Sequence, residues 1–396
     1  MVRSRTRCTA LAVAVAVMML AGTTTALVAG YLESDYPSSP TRVVPPPRPI
    51  PPPRPVPPPP RPRPTPHNEV TALLDDVVIG PAYNYRGLAL FPLTLARGAD
   101  RRRYQTLDEG LANGTVTVRE RERGVVSELV LRNSAGVHTF VLAGEIILGG
   151  KQNRLLRQDV LLPPGSGDVV VPVYCGQKGR WTAGGRFRSK ATLAPQNLRR
   201  RAMAGAPQAE VWAGIRQDAA RLKAPSRSEN LQQVYETKAV REALATYRTE
   251  FVGYLRRRAA VGFVAARYGT IVGAEVFRSR SLFAREREKL IDAYAVDCIG
   301  WRPTRGRRRP IRWPDVHQAR AFLSRAYRAD YGIRTAPGVG RLLTISGRST
   351  GQALGYERSC VHLSLYEPVP IIYRPAPIRP MPMPMPMPRR RPPVIE

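Results

Sequence analysis

The chain is poor in cysteine and histidine, with four of each in 396 residues, and poor in acid, with 30 aspartates and glutamates against 62 lysines and arginines. No Cys-x-x-Cys spacing and no histidine pair at helical spacing occurs, so no metal site is expected. Gly-x-Ser-x-Gly, His-Glu-x-x-His, a phosphate-loop lysine and a dinucleotide-binding glycine fingerprint are all missing. The common hydrolase, protease, kinase and dehydrogenase readings therefore lose their usual support.

What is present in excess is arginine and proline. A net charge of +32 attracts polyanions, such as nucleic acid, anionic lipid or acidic cell-wall polymer, in a salt-dependent way. No aromatic-interleaved basic stripe accompanies it, so specific nucleic-acid binding is not expected; an anionic surface or a protein remains as a partner. The 40 prolines crowd into Pro45 to Pro66 and the stretch after Glu367. That leaves a middle of ordinary apolar content, enough for one domain or two closely packed halves.

Residues 1–30 have the three parts of an export segment. Arg3, Arg5 and Arg7 precede the apolar run Ala10 to Ala21, and small residues follow through Ala26 and Ala29. The segment is a cleaved signal peptide or, because no charge falls between Arg7 and Glu33, an uncleaved signal anchor. Membrane contact is expected only in the second case. Residues 31–67 form a Pro/Arg-rich linker whose repeats over Pro45 to Pro62 favour extended polyproline II, a semi-rigid arm of roughly 60 Å. Residues 367–396, with alternating Met-Pro and then Arg389-Arg390-Arg391, lack any pattern able to bury a core and are expected to be disordered.

Between them, residues 68–366 read as an α+β domain with a mainly antiparallel sheet, helices clustered in the second half and disordered Pro-rich tails on either side. Strands are predicted at Leu88 to Leu93, Thr115 to Glu120, Leu129 to Leu131, His138 to Leu142 and Val169 to Tyr174, with a short helix at Thr106 to Leu111. Helical periodicity follows over Glu210 to Leu222 and Glu229 to Arg258, the second entered through a capping box Ser226-Arg-Ser-Glu229. A hairpin about Tyr268-Gly269, helices at Ser281 to Cys298 and Trp313 to Ala329, and strands at Leu342 to Ile345 and Cys360 to Leu365 complete the reading.

One stretch concentrates chemistry. Gly144-Glu145 is followed by Gly149-Gly150-Lys151-Gln152-Asn153-Arg154, then Val171-Pro172-Val173-Tyr174-Cys175 and Gly179-Arg180-Trp181. A carboxylate, two amides and guanidinium groups around a glycine turn can orient a polar ligand, which makes Glu145, Gln152, Asn153, Arg154 and Arg180 the ligand-binding candidates. In the alternative, Glu145 pairs with Arg154 or caps a turn, and the amides satisfy loop backbone. The ligand reading requires a concave pocket into which Glu145 and Arg154 both point. Cys175, near Arg180, is a candidate reactive thiol. Cys298 and Cys360 are the candidate disulfide in an oxidising compartment. His138 and His362, flanked by strand residues, read as core or edge histidines, and Trp181 and Trp212 as core anchors.

The order of these motifs resembles the family named for its association with ADP-ribosylglycohydrolase and rhodanese-phosphatase proteins, over roughly Asp76 to Leu365. The resemblance implies a domain without an established reaction or cofactor. Its name suggests an ADP-ribose or nucleotide setting, with Arg154 as a phosphate clamp and Glu145 as acid/base or ribose acceptor. The residues themselves favour an exported or envelope-associated binding module on a proline-rich stalk. An enzyme or sensor for a phosphate-bearing ligand, and a charge-driven polyanion binder, stand as alternatives.

Overall fold

The computed structural model describes residues 67–121, 125–180, 185–224, 226–300 and 310–368. The expected signal segment, the expected Pro/Arg-rich linker up to residue 66, Trp181 and the tail beyond Pro368 lie outside the described residues. In chain order, the first elements are α1 (Glu69–Leu74), β1 (Val77–Ile79), β2 (Tyr83–Tyr85), β3 (Leu88–Leu95), β4 (Tyr104–Thr106) and α2 (Leu107–Ala112). Short strands follow: β5 (Val116–Glu120), β6 (Glu128–Asn133), β7 (His138–Val141), β8 (Ile146–Ile147), β9 (Arg154–Leu156), β10 (Val160–Leu162) and β11 (Val169–Cys175). Then come α3 (Gln196–Met203), α4 (Gln208–Arg221), α5 (Leu231–Glu236) and α6 (Lys238–Arg257). The chain closes with β12 (Gly262–Arg267), β13 (Thr270–Phe277), α7 (Arg280–Ala295), α8 (Val316–Ser324), β14 (Asp330–Thr335), β15 (Arg341–Ser346), β16 (Thr350–Tyr356) and β17 (Ser359–Tyr366). The fold class is α+β, with five of the eight helices among the described residues lying between Gln196 and Ala295.

The largest sheet runs β1-β3-β12-β13-β17-β16-β15-β14, with β2 also on β3, and every pair in it is antiparallel. Side chains alternate across it. Leu88, Leu90, Phe263, Ala265 and Phe277 face a core shared with Leu244, Phe251, Leu290 and Tyr294 of α6 and α7. Their neighbours Ala89, Phe91, Leu93, Val264 and Val276 face a second core with Val70 and Leu73 of α1 and Phe322 and Leu323 of α8. Two smaller sheets, β10-β7-β4 and β5-β6-β11-β9-β8, enclose a third core around Leu129, Leu131, Ile147, Leu156 and Val173. The β4–β7 pair is parallel, the exception among the described strand pairs.

Local chemistry explains the ends of several elements. Thr106 and Glu109 form a reciprocal capping box that starts α2, leaving Asp108 in its first turn. Tyr268 and Gly269 both take positive φ, the geometry of a tight hairpin turn between β12 and β13, and the Tyr268 hydroxyl donates to the Cys298 carbonyl at 2.8 Å. That contact holds a residue otherwise poorly suited to the left-handed region. The single helix expected over Glu229 to Arg258 is two helices. Thr237, extended at φ −65° and ψ 140°, separates α5 from α6. The capping box expected at Ser226 to Glu229 is also displaced, because Glu229 has φ +48° and Asn230 caps α5 by accepting from Gln232 N.

Candidate functional site

The Gly144-Glu145 turn sits where two buried charge clusters meet. Gly144 has φ +92°, and a Cβ there would stand 2.4 Å from Arg199 Cγ, so the position requires glycine. Glu145 is only 2% exposed. One of its oxygens accepts from Leu142 N at 3.0 Å; the other meets the ammonium of Lys289 on α7. Lys289 Nζ also lies 2.6 Å from Asp108 Oδ2 and 2.7 Å from Glu286 Oε2. One ammonium is thus caged by three carboxylates.

Desolvation is the largest influence in this cage. Burial pushes Glu145 up to about 8 despite Lys289, with Asp108 and Glu286 adding to the rise. Glu286 rises for the same reason, while for Lys289 the surrounding carboxylates overcome burial and hold the ammonium charged. Around neutral pH the cage therefore keeps a proton among its carboxylates.

Lys289 and Asp108 form part of the wall of an open cleft of about 690 Å³ between α2, α5, α6, α7 and the segment 190–193. Its sides carry both signs of charge, from Arg241, Arg248 and Arg285 to Glu109, Glu236 and Glu288. Three residues after Lys289 on α7, Asp292 pairs with Arg248 at 2.6 Å while its Oδ1 is buried without a hydrogen-bond partner. Burial pushes this carboxyl up to about 7, against the opposing pull of Arg248. A cleft of this size, with a few convergent polar groups and shifted carboxyls, has the properties of a small-molecule site.

A smaller cleft of about 270 Å³ is its neighbour, and Lys190, Gln232 and Glu236 line both. Here the Gly-Gly-x-Gln-Asn-Arg motif reaches solvent, through Gly149, Asn153 and the nearby Arg180. Asn153 Oδ1 accepts from Gly149 N and Arg180 Nη2, and its amide donates to Asn230 at 3.0 Å. Arg180 also donates to the carbonyls of Gly149 and Gly150. These residues fix the shape of the cleft.

A family model of the ARG and Rhodanese-Phosphatase-superfamily-associated Protein domain, ARPP-1, matches residues 76–366. The chain belongs to the ARPP-1 family. No curated protein and no solved structure matches it.

Within the ARPP-1 domain, Glu145 and Arg154 do not converge on one pocket. Arg154 is 1% exposed and belongs to a separate set. It donates to Gln152 Oε1 at 2.9 Å and to Cys175 Sγ at 3.6 Å, and pairs with Glu120 at 3.5 Å. The phosphate-clamp role expected of Arg154 fails for that reason, and Gln152 serves as its partner. Cys175 is buried, and desolvation raises its thiol more than Arg154 lowers it, so it lacks the thiolate character of a reactive cysteine. Cys298 and Cys360 are both free thiols. They occupy cores on opposite faces of the large sheet, which is why the expected pair does not form.

The second cluster was not anticipated. Glu275, in the middle of β13, accepts from Arg199 Nη1 at 2.6 Å, Tyr294 at 2.9 Å, Tyr366 at 3.1 Å and Ser364 at 2.7 Å. His362 bridges Glu275 at 3.0 Å and Asp159 at 2.7 Å. Arg199 Nε donates to Ala143 O, and Asp159 accepts from Ala143 N, so the network grips the same turn that carries Glu145. Two cations balance two carboxylates here. Arg199, Glu275, His362 and Asp159 are fully buried, and none lines a described cleft. This cluster holds the large sheet, α3, α7 and the Gly144 turn together.

Proposed function

We propose that the protein is an exported or envelope-associated binding module whose ARPP-1 domain holds a small polar ligand in the Lys289 cleft. The observation that carries this reading is the three-carboxylate cage around Lys289, placed where Lys289 and Asp108 reach the cleft. Burying three ionisable groups, Glu145, Glu286 and Lys289, beside the half-buried Asp108 costs several kcal/mol that an apolar core would avoid. A ligand that completes their hydrogen bonding gives the cage a use beyond packing. The basic start, the apolar run Ala10 to Ala21 and the Pro/Arg repeats support export and display on a stalk.

Ala284 is an exposed residue of α7 that lines the cleft. Ala284→Trp fills the cleft without touching a core, so a small polar ligand found by thermal unfolding of the full chain is expected to lose at least tenfold in affinity. Undiminished affinity in that variant would move the ligand elsewhere and end this reading.

Asp292 favours a second reading, an enzyme acting on the same ligand. A carboxyl held near 7 divides between its acid and base forms at neutral pH, the condition for general acid/base work. If turnover of a cleft ligand exists, Asp292→Asn is expected to lower kcat about a hundredfold or more with little change in ligand affinity. Retained turnover in Asp292→Asn would remove Asp292 from the chemistry, and a parent chain without turnover would leave binding as the whole activity.

A further inference from the structure

The smaller cleft has an electrostatic character of its own. Arg180, Arg188 and Lys190 line it with five amide side chains, those of Asn153, Gln177, Asn230, Gln232 and Gln233, and Glu236 is the acid among its lining residues. Arg188 is anchored by its backbone, donating to Leu148 O at 2.8 Å and accepting from Leu148 N at 2.9 Å. Its guanidinium makes no hydrogen bond or ion pair among the described residues. Lys190 pairs with Glu236 at 2.5 Å, and Arg180 is held by Gln177, Asn153 and the Gly149 and Gly150 carbonyls. Arg188 thus brings a guanidinium without a paired acid among the described residues to a cleft with an excess of positive charge, which suits an anionic group.

Gln232 adds a second and independent requirement. It is 5% exposed, stands on the wall shared by the two clefts, and donates its amide to Glu236 at 3.3 Å. Its Oε1 is buried with no hydrogen-bond partner. A buried amide oxygen left unpaired costs about 1–3 kcal/mol. Asp292 Oδ1 in the larger cleft is in the same state. The Gln232 oxygen accepts and cannot donate, so what satisfies it must bring an O–H or N–H group; Asp292 Oδ1 accepts when ionised and can donate when protonated, and a hydroxyl serves both.

We infer that the two clefts form one bipartite site for a polyhydroxylated anion, a sugar carrying a phosphate or a carboxylate. The acidic group binds at Arg180, Arg188 and Lys190, and the hydroxyls extend past Gln232 toward Asp292 and Lys289. This inference rests on the proposed ligand-binding role of the Lys289 cleft and assigns its ligand class.

The test is calorimetric titration of the full chain with glucose 6-phosphate and with gluconate, against glucose and inorganic phosphate alone. Either sugar anion is expected to bind at least tenfold more tightly than both glucose and phosphate. Arg188→Glu, an exposed change, is expected to weaken it at least tenfold by charge, and Gln232→Leu to weaken it through the lost acceptor while circular dichroism stays native. Glucose binding as tightly as its phosphate, unaffected by Arg188→Glu, would overturn the anion assignment and leave the cleft reading standing. Phosphate binding as well as the sugar anions, with no effect of Gln232→Leu, would reduce the site to a patch of surface charge and overturn the inference. No heat from any probe would overturn the inference, while a sugar anion bound as tightly by Ala284→Trp as by the parent would end the cleft reading beneath it as well.

Discussion

Arg199→Met is expected to lower the unfolding free energy by about 3–5 kcal/mol, the cost of stripping one partner from a buried ion pair. Methionine nearly fills the volume of the arginine stem, so the loss is electrostatic and not a cavity effect. It removes the fork to Glu275 and the hydrogen bond to Ala143 O, and it changes the balance of the network from neutral to one excess negative charge. Arg199 and His362 are what hold the Glu275 carboxyl down to about 2 against a desolvation penalty that would otherwise raise it. Without the guanidinium, Glu275 is left with His362 and three hydroxyls and must either stay charged at high cost or take up a proton.

The magnitude separates this pair from ordinary surface bridges on the same fold. Arg119 and Asp168 also pair, yet both are exposed, and solvent screening limits such a pair to less than about 1 kcal/mol. Asp168→Asn is the matched control for Arg199→Met in urea unfolding. A loss under about 1 kcal/mol for Arg199→Met, no larger than the control, would mean that the network is not what holds α3 to the sheet. Arg199→Lys should fall between them, since the charge remains while the two-pronged geometry is lost.

Much of this fold is written in local pattern. The β12–β13 hairpin shows as two apolar runs around a glycine turn, and α4 shows as apolar residues at helical spacing, because each buries a face that the sequence must supply. Elements that bury little leave little trace. Strand β14 exposes nearly all its residues at the sheet edge and so has no alternation to read. The break at Thr237 lacks glycine or proline, and apolar periodicity continues on either side of it.

The site was legible in half. Glu145 stood out because a turn of glycines surrounds it, but its partner Lys289 is 144 positions away in a run, Arg285-Glu286-Arg287-Glu288-Lys289, that reads as a solvated helical face. Glu286 and Lys289, three apart, turn inward on α7, and that inward turn is fixed only by the tertiary fold. Glu275 and His362 carried a clearer signal. Each is a titratable residue at an inward position of a strand whose neighbours are apolar, which requires a buried partner somewhere in the chain.

The same buried groups set how stability should vary with pH. His362 is raised from 6.5 to about 9: burial opposes the rise, and the carboxylates of Asp159 and Glu275 overcome it. A raised histidine contributes stability in full below its unfolded value of 6.5, and that contribution is lost as pH rises through about 9. At about 1.4 kcal/mol for each unit of pKa, the loss is on the order of 3 kcal/mol. Glu275 works in the other direction, contributing above 4.5 and losing its contribution as pH falls through about 2. Glu145 and Asp292, raised to about 8 and about 7, hold protons in the folded chain that the unfolded chain releases, so each also makes the fold less stable as pH climbs. The expected profile peaks in mild acid and declines steadily toward pH 9. Urea unfolding at pH 5, 7 and 9 measures it. His362→Gln should flatten the decline between 7 and 9, whereas Glu145→Gln should flatten it between 5 and 7. A parent chain equally stable at pH 5 and pH 9 would show that His362 is not held as a cation between Asp159 and Glu275.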